Sequence, residues 1–152
     1  MKNLFLTLPI ILLLAACNQS NKNTESISKA EFIQAEGLQD LPFSLVVKYD
    51  NILYLSGQIG FVMEAGKLIE GGIIPETKQT LENIKMILEQ NGSSLDNVIK
   101  CTCILADMSD WNQMNSEYIT FFPEHKPART AFVAKEIASG ARVEIECIAY
   151  ID

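Results

Sequence analysis

Apolar residues fall along the chain in blocks of two kinds: short β-branched or aromatic runs, and longer stretches with helical spacing. Ser44 to Val47 and Ile52 to Ser56 are of the first kind, and the intervening Lys48-Tyr49-Asp50-Asn51 predicts a hairpin. Gly71-Gly72 then punctuates the chain. Pro75-Glu76 opens a helix with an acid in its first turn, where the macrodipole favours negative charge. Leu81, Ile84, Ile87 and Leu88 follow at helical spacing, and Asn91-Gly92 is a C-cap signal, so this helix is expected from about Pro75 to Gln90.

Val98 to Leu105 reads as a strand, and Asp107 to Asp110 supply capping oxygens for a second helix. Its stripe of Trp111, Met114, Tyr118 and Phe121 is read as a core face, and Pro123 stops it. Thr130 to Ala134 and Arg142 to Ile151 are two final strands, expected to pair as a hairpin through Ala138-Ser139-Gly140-Ala141. The order β-β-α-β-α-β-β predicts an α+β domain with two helices on one face of a mixed sheet. Two helices cover one face only, and no segment remains for the other, so self-association is the expected cover.

A different pattern occupies the front of the chain. Leu4 to Leu14 is almost wholly apolar, follows Lys2, and at about eleven residues is too short to span a bilayer as a helix. It ends in Leu14-Ala15-Ala16-Cys17, which resembles a bacterial lipobox, with Cys17 as the acylated residue. Residues 17–29 have no large apolar residue before Ile27 and read as a tether. The expected organisation is a lipoprotein signal peptide over 1–16, a lipidated Cys and tether over 17–29, and a folded domain over 30–152. Asn18 is not the Asp of inner-membrane retention, so the expected location is the bacterial cell envelope, lipid-anchored to the outer membrane and facing the periplasm.

Composition narrows the function classes. With 48% apolar and 20% charged residues the chain is globular, and its 152 residues fit one domain. Twelve basic against nineteen acidic residues give a net charge of −7 with no basic run, so no nucleic-acid partner is expected. Beyond Cys17 three cysteines remain, Cys101, Cys103 and Cys147. Cys101 and Cys103 lie on one face of a strand, where a bond to each other has poor geometry. Buried free thiols are favoured, with a bridge from Cys147 to one of the pair as an alternative. A metal site is hard to assemble with a single, distant His125, itself read as a surface-turn residue.

No nucleophile–base pair of standard spacing is present, and no phosphate loop. What stands out is Pro127-Ala128-Arg129-Thr130, with Glu144 fifteen residues later. An Arg at a strand entrance can hold a small carboxylate bidentately, and a Glu in the paired strand can direct a water. A cross-strand salt bridge is the competing reading of the same spacing.

Tyr54-Leu-Ser-Gly-Gln-Ile-Gly60, the segment from Gly71 to Lys100, and PART with VEIE at the end together resemble the RidA family, also called YjgF or L-PSP, from about Leu41 to Ile151. The resemblance implies a chorismate-mutase-like α+β domain, a homotrimer with three clefts between subunits, and hydrolysis of 2-imino or enamine acids to 2-keto acids and ammonia without cofactor or metal. It implies that Arg129 binds the substrate carboxylate and Glu144 handles water. It also places Asn115 in the cleft, with Ser56 and Gly57 as its wall. Two positions depart from the family pattern. Phe43 stands where a tyrosine is usual, and Ala131 where many members carry Cys. The alternative function is a non-enzymatic trimeric binding protein for small carboxylates that keeps the Arg clamp.

Overall fold

The computed structural model describes residues 29–34, 37 and 40–152. Its central strand, β7 (Val98–Leu105), matches the expected boundaries and alternates, with Cys101, Cys103 and Leu105 buried on one face. β9 (Val143–Tyr150) alternates in the same way and lies antiparallel to β7, so Val143, Ile145, Cys147 and Ala149 face the same side. Period-two alternation of this kind marks a sheet with one packed face.

Upstream, β2 (Val46–Tyr49) and β3 (Ile52–Leu55) form the expected hairpin. Its loop is shorter than the sequence indicated: Tyr49 pairs with Ile52, leaving only Asp50 and Asn51 to turn, with Asp50 at φ 54°. Three pieces were not anticipated. β1 (Glu31–Ile33) pairs with β2, β4 (Gln58–Ile59) pairs with β9, and β5 (Phe61–Val62) with β6 (Lys67–Leu68) makes a separate two-stranded ribbon. The main sheet runs β1-β2-β3-β9-β7-β8, where β8 is Ala128–Val133, with β4 continuing the β3 side of β9.

The helices α1 (Ile73–Gln90) and α2 (Trp111–Tyr118) pack on one face of the sheet. Leu81, Ile84 and Leu88 of α1 meet Met114 and Tyr118 of α2 over Leu53, Leu105 and Ile145. Each fully buried aliphatic side chain here is worth about 1.5–3 kcal/mol in transfer alone. Met114 and Tyr118 of the helical stripe are core as read, while Trp111 and Phe121 are only partly buried against it and Phe122 is buried instead. Asp107 caps the 3-10 turn Met108–Asp110 that leads into α2, accepting from Ser109 N at 2.8 Å.

One expected pairing is corrected. β8 does not form a hairpin with β9; it pairs in parallel with β7, on the flank of β7 opposite β9. β7, α2 and β8 make a crossover unit, the usual way to return a chain parallel to its predecessor. The segment from Ala134 to Arg142 then arches over the end of β7, held at its two feet by Ala134 N to Leu105 O and Ala106 N to Arg142 O.

The start of β9 is fixed by two carboxylates. Glu76 is 4% exposed and accepts from the amides of Arg142 (2.5 Å) and Val143 (3.3 Å). It therefore serves β9 as well as its own helix terminus. Asp110, expected as a cap, instead takes Arg142 bidentately at 2.9 and 2.8 Å, a geometry that fixes direction as well as distance.

Candidate active site

Arg129 enters on β8 at the register of Cys101, which pairs in turn with Cys147, so its side chain belongs to the helix-facing side. There the guanidinium lies over two rings of α2, 4.7 Å from the Tyr118 centroid and 5.4 Å from that of Trp111. Among the described residues no carboxylate pairs with it. A cation held by ring faces keeps its N–H fork free.

Beside it opens a cleft of about 360 Å³ lined by Asn115, Tyr118, Ile119, Phe122, Lys126, Pro127 and Arg129. Asn115 Oδ1 is buried there without a hydrogen-bond partner among the described residues, while the Tyr118 hydroxyl is buried on the side of Cys101. Burial pushes the Tyr118 phenol well above its ordinary value, so it remains protonated. Apolar walls with a cation and convergent polar atoms form the usual anatomy of a small-ligand site. Asn115 and Arg129 were both named from the sequence, and the fold brings them together. Trp111 and Tyr118, read only as core, also carry the site. The available signal was their helical spacing from Asn115, four residues before it and three after.

Glu144 lies elsewhere. Its neighbours Val143 and Ile145 face the helices, so Glu144 points to the opposite, open face. In register it pairs with Ile104, and Ile104 with Phe132, three residues along β8 from Arg129. Two strand spacings and three residues of rise separate the two by roughly 14 Å at Cα. The expectation that Arg129 and Glu144 face one pocket through a shared hairpin is therefore wrong within a single chain. The reason is that β7 lies between their strands.

Glu144 has its own surroundings. Ile59 of β4 pairs with it, and the preceding Ser56-Gly57 passes so close that a Cβ on Gly57 would stand 2.8 Å from the Glu144 carboxyl carbon. Only glycine permits that approach. The wall is tied down by Ser56 Oγ donating to Ser44 O (2.7 Å) and by Gln58 Nε2 donating to Ser56 O and Gly57 O (3.0 and 3.1 Å). From behind, Asn83 of α1 donates to Ile59 O and Phe61 O at 3.0 and 2.9 Å. Partial burial, and secondarily Glu146, hold the Glu144 carboxyl above the ordinary carboxylate value. Phe43 immediately precedes Ser44 and is exposed, while Ala131 is partly buried on the Arg129 side of β8. Ser56, Gly57 and Glu144 are thus one group, and Arg129 with Asn115 another.

His125 is exposed, as expected of a turn residue. Among the described residues, no group of three or more His, Cys, Asp or Glu is arranged to hold a metal ion, and no helix is long and apolar enough to cross a membrane. Residues 1–28, which hold the expected leader and Cys17, lie outside the described residues.

Residues 37–151 match the family model described as endoribonuclease L-PSP. The chain is similar to the 2-iminobutanoate/2-iminopropanoate deaminase of Mus musculus, 43% identical over 108 residues that make up 71% of this chain and 80% of the mouse protein. Among solved structures, it resembles a putative endoribonuclease L-PSP from Entamoeba histolytica with TM-score 0.75 and 37% identity, covering 81% of this chain and all of that one. It also resembles E. coli TdcF with bound serine, with TM-score 0.70 and 27% identity over 80% of this chain and 94% of that one. With the helix-covered mixed sheet, the Arg129 cleft and the Gly57–Glu144 wall all present, the chain belongs to the L-PSP family, the RidA family that its motifs resemble.

Proposed function

We propose that this protein hydrolyses 2-imino and enamine acids of the 2-aminoacrylate or 2-iminobutanoate type to 2-keto acids and ammonia. The observation that carries the reading is Arg129, a cation with no ionic partner among the described residues, held on two aromatic faces at the mouth of an apolar cleft. The naming of the mouse relative as an imine deaminase supports it. A 2-imino acid offers a fixed carboxylate for the guanidinium fork and an electrophilic carbon one bond away. An enamine enters as its imine tautomer, the N–H proton having moved to carbon. Glu144 accepts a proton from water as the oxygen adds to the imine carbon and passes it to nitrogen, giving a carbinolamine. The hydroxyl proton follows to nitrogen as the C–N bond breaks, so ammonia leaves and the water oxygen remains as the carbonyl. No electron transfer and no covalent enzyme intermediate enters that balance. A net charge of −7 gives an RNA substrate no electrostatic footing.

Because Arg129 and Glu144 sit on opposite faces of one sheet, the working site takes Arg129 from one copy and Glu144 from another. Two features support a homotrimer closed in this way. β8 is an edge strand, and the helix-free face exposes Phe32 (70%), Tyr54 (46%) and Phe132 (46%). Such a face asks for a cover, and identical copies supply one. We further read residues 1–16 as a lipoprotein leader and Cys17 as the lipid-bearing residue, which anchors the folded domain, residues 30–152, at the cell envelope.

The test is mixing. Arg129→Ala and Glu144→Gln chains are each inactive on imines generated in place by an amino-acid oxidase. Unfolded together in equal amounts and refolded, they recover about a quarter of wild-type activity, because one random subunit boundary in four pairs an intact Arg with an intact Glu. No recovery, with both variants folded, defeats the shared site. A wild-type protein that binds keto acids through Arg129 without accelerating imine hydrolysis defeats the enzyme reading and leaves the carboxylate-binding one.

A further inference from the structure

Cys101 and Cys147 face each other directly in the antiparallel pairing of β7 with β9, and both are buried on the helix side. Their sulfurs are 2.9 Å apart. That is inside the roughly 3.5–4.0 Å of ordinary non-bonded contact and about 0.9 Å beyond a covalent S–S bond. Cys103 is buried on the same face, but its cross-strand partners are Ala131 and Ile145, neither of which carries sulfur. Of the three possible links among these cysteines, the register presents one.

We propose that Cys101 and Cys147 are a modification site, joined as a cross-strand disulfide when the chain folds in contact with a disulfide donor, while Cys103 stays a thiol. The thiolate of one of the two attacks the donor disulfide, forming a mixed disulfide and releasing one donor thiol. The other sulfur, giving up its proton, then attacks the protein sulfur of the mixed disulfide and releases the second. Two electrons pass to the donor, and the two protons end on the released thiols. With both sulfurs buried in the finished fold, the exchange takes place while β7 and β9 are still closing. Register then decides which pair closes, since Cys101 and Cys147 come opposite each other while Cys103 does not meet a sulfur.

The bridge closes a loop that contains α2 and β8, the whole Arg129 half of the site, and fastens it to the strand that carries Glu144. It lies in one row with Arg129 across the sheet and adjoins the Tyr118 hydroxyl. The proposal is independent of the deaminase reading, since it rests on strand register and sulfur geometry alone.

The experiment refolds the full chain with oxidised glutathione, quenches in acid, and alkylates in denaturant without reductant. Peptide mapping is expected to show Cys103 alkylated and a Cys101–Cys147 linked peptide two hydrogens lighter than its reduced parts. The oxidised protein is expected to melt roughly 10 °C above the reduced one. Cys103→Ala keeps the link and the shift, and Cys147→Ala abolishes both. Equal alkylation of all three core cysteines, a predominant link through Cys103, or an oxidised form melting no higher than the reduced one overturns the proposal.

Discussion

Arg129 and Glu144 are both half-buried and charged, and among the described residues neither forms an ion pair, yet the fold holds them by opposite means. Arg129 rests on side chains: two aromatic faces position it, and apolar walls shape the cleft around it. Glu144 is framed by backbone, at a place where Gly57 passes with no room for a methyl group. The first arrangement adapts to changes of ring or wall but depends on the charge and its planar fork. The second depends on an atom that is missing from Gly57. A binding half built from side chains and a water-directing half built on close backbone approach fail differently, and that difference can be measured.

The largest effect is expected at Arg129. Arg129→Ala should lower kcat/KM by at least ~10³-fold and abolish keto-acid binding in the same step, since the carboxylate loses its only bidentate partner. Arg129→Lys should recover little, because an ammonium keeps the charge but neither the fork nor the flat stacking surface. Parallel calorimetry and turnover decide it. Retained binding in Arg129→Ala would move the clamp to Lys126, the other cation lining the cleft.

Next in size is Gly57→Ala, which should push the Glu144 carboxylate aside and cost about 10²-fold in kcat while leaving keto-acid affinity near wild type. A variant that loses binding and turnover equally would erase the proposed division between halves. The same half carries the pH dependence. Glu144 works as a base only when ionised, and partial burial raises its pKa, so activity should fall on acidification from above the ordinary carboxylate range. The stability sign is opposite. A carboxyl with a raised folded-state pKa favours the fold below its unfolded value, and that contribution is lost as pH rises through the folded value. Glu144→Gln should therefore melt slightly above wild type at neutral pH and equally in acid, as thermal scans at two pH values would show.

The sequence made the elements with strong periodicity legible. β7 lies where its alternation put it, and α1 differs only by one early turn residue pair, Ile73-Ile74, ahead of Pro75. β4, β5 and β6 were missed because two residues carry no period, and their pairing is decided by Asn83 and by β9 from far along the chain. The error over β8 and β9 had a readable warning. A strand, a helix and a strand in succession favour a parallel return, and the segment from Ala134 to Arg142 is long for a tight hairpin. Motif resemblance named Arg129, Asn115, Ser56, Gly57 and Glu144 as residues to place, but it carried no information on which face of the sheet each takes. Face is set by register, and register here depends on which strands become neighbours.

The smallest expected effect is also the one that sharpens the comparison most finely. Phe43 precedes Ser44, whose carbonyl accepts the Ser56 hydroxyl, so it belongs to the Glu144 half by connection through the wall. Its ring is 49% exposed, and a para hydroxyl added there meets no packed core, so Phe43→Tyr should leave the melting temperature unchanged. A new hydrogen bond to water or to the departing nitrogen is worth about 0.5–1.5 kcal/mol, which is roughly a 2- to 10-fold gain in kcat/KM. If the halves are separate in function as well as in construction, the gain appears in kcat, and the affinity for a keto acid at Arg129 does not move. A gain confined to affinity would place Phe43 against the carboxylate instead, on the Arg129 side of the boundary. A loss of turnover would mean that the bare ring, by keeping that corner dry, already serves the reaction better than the hydroxyl does.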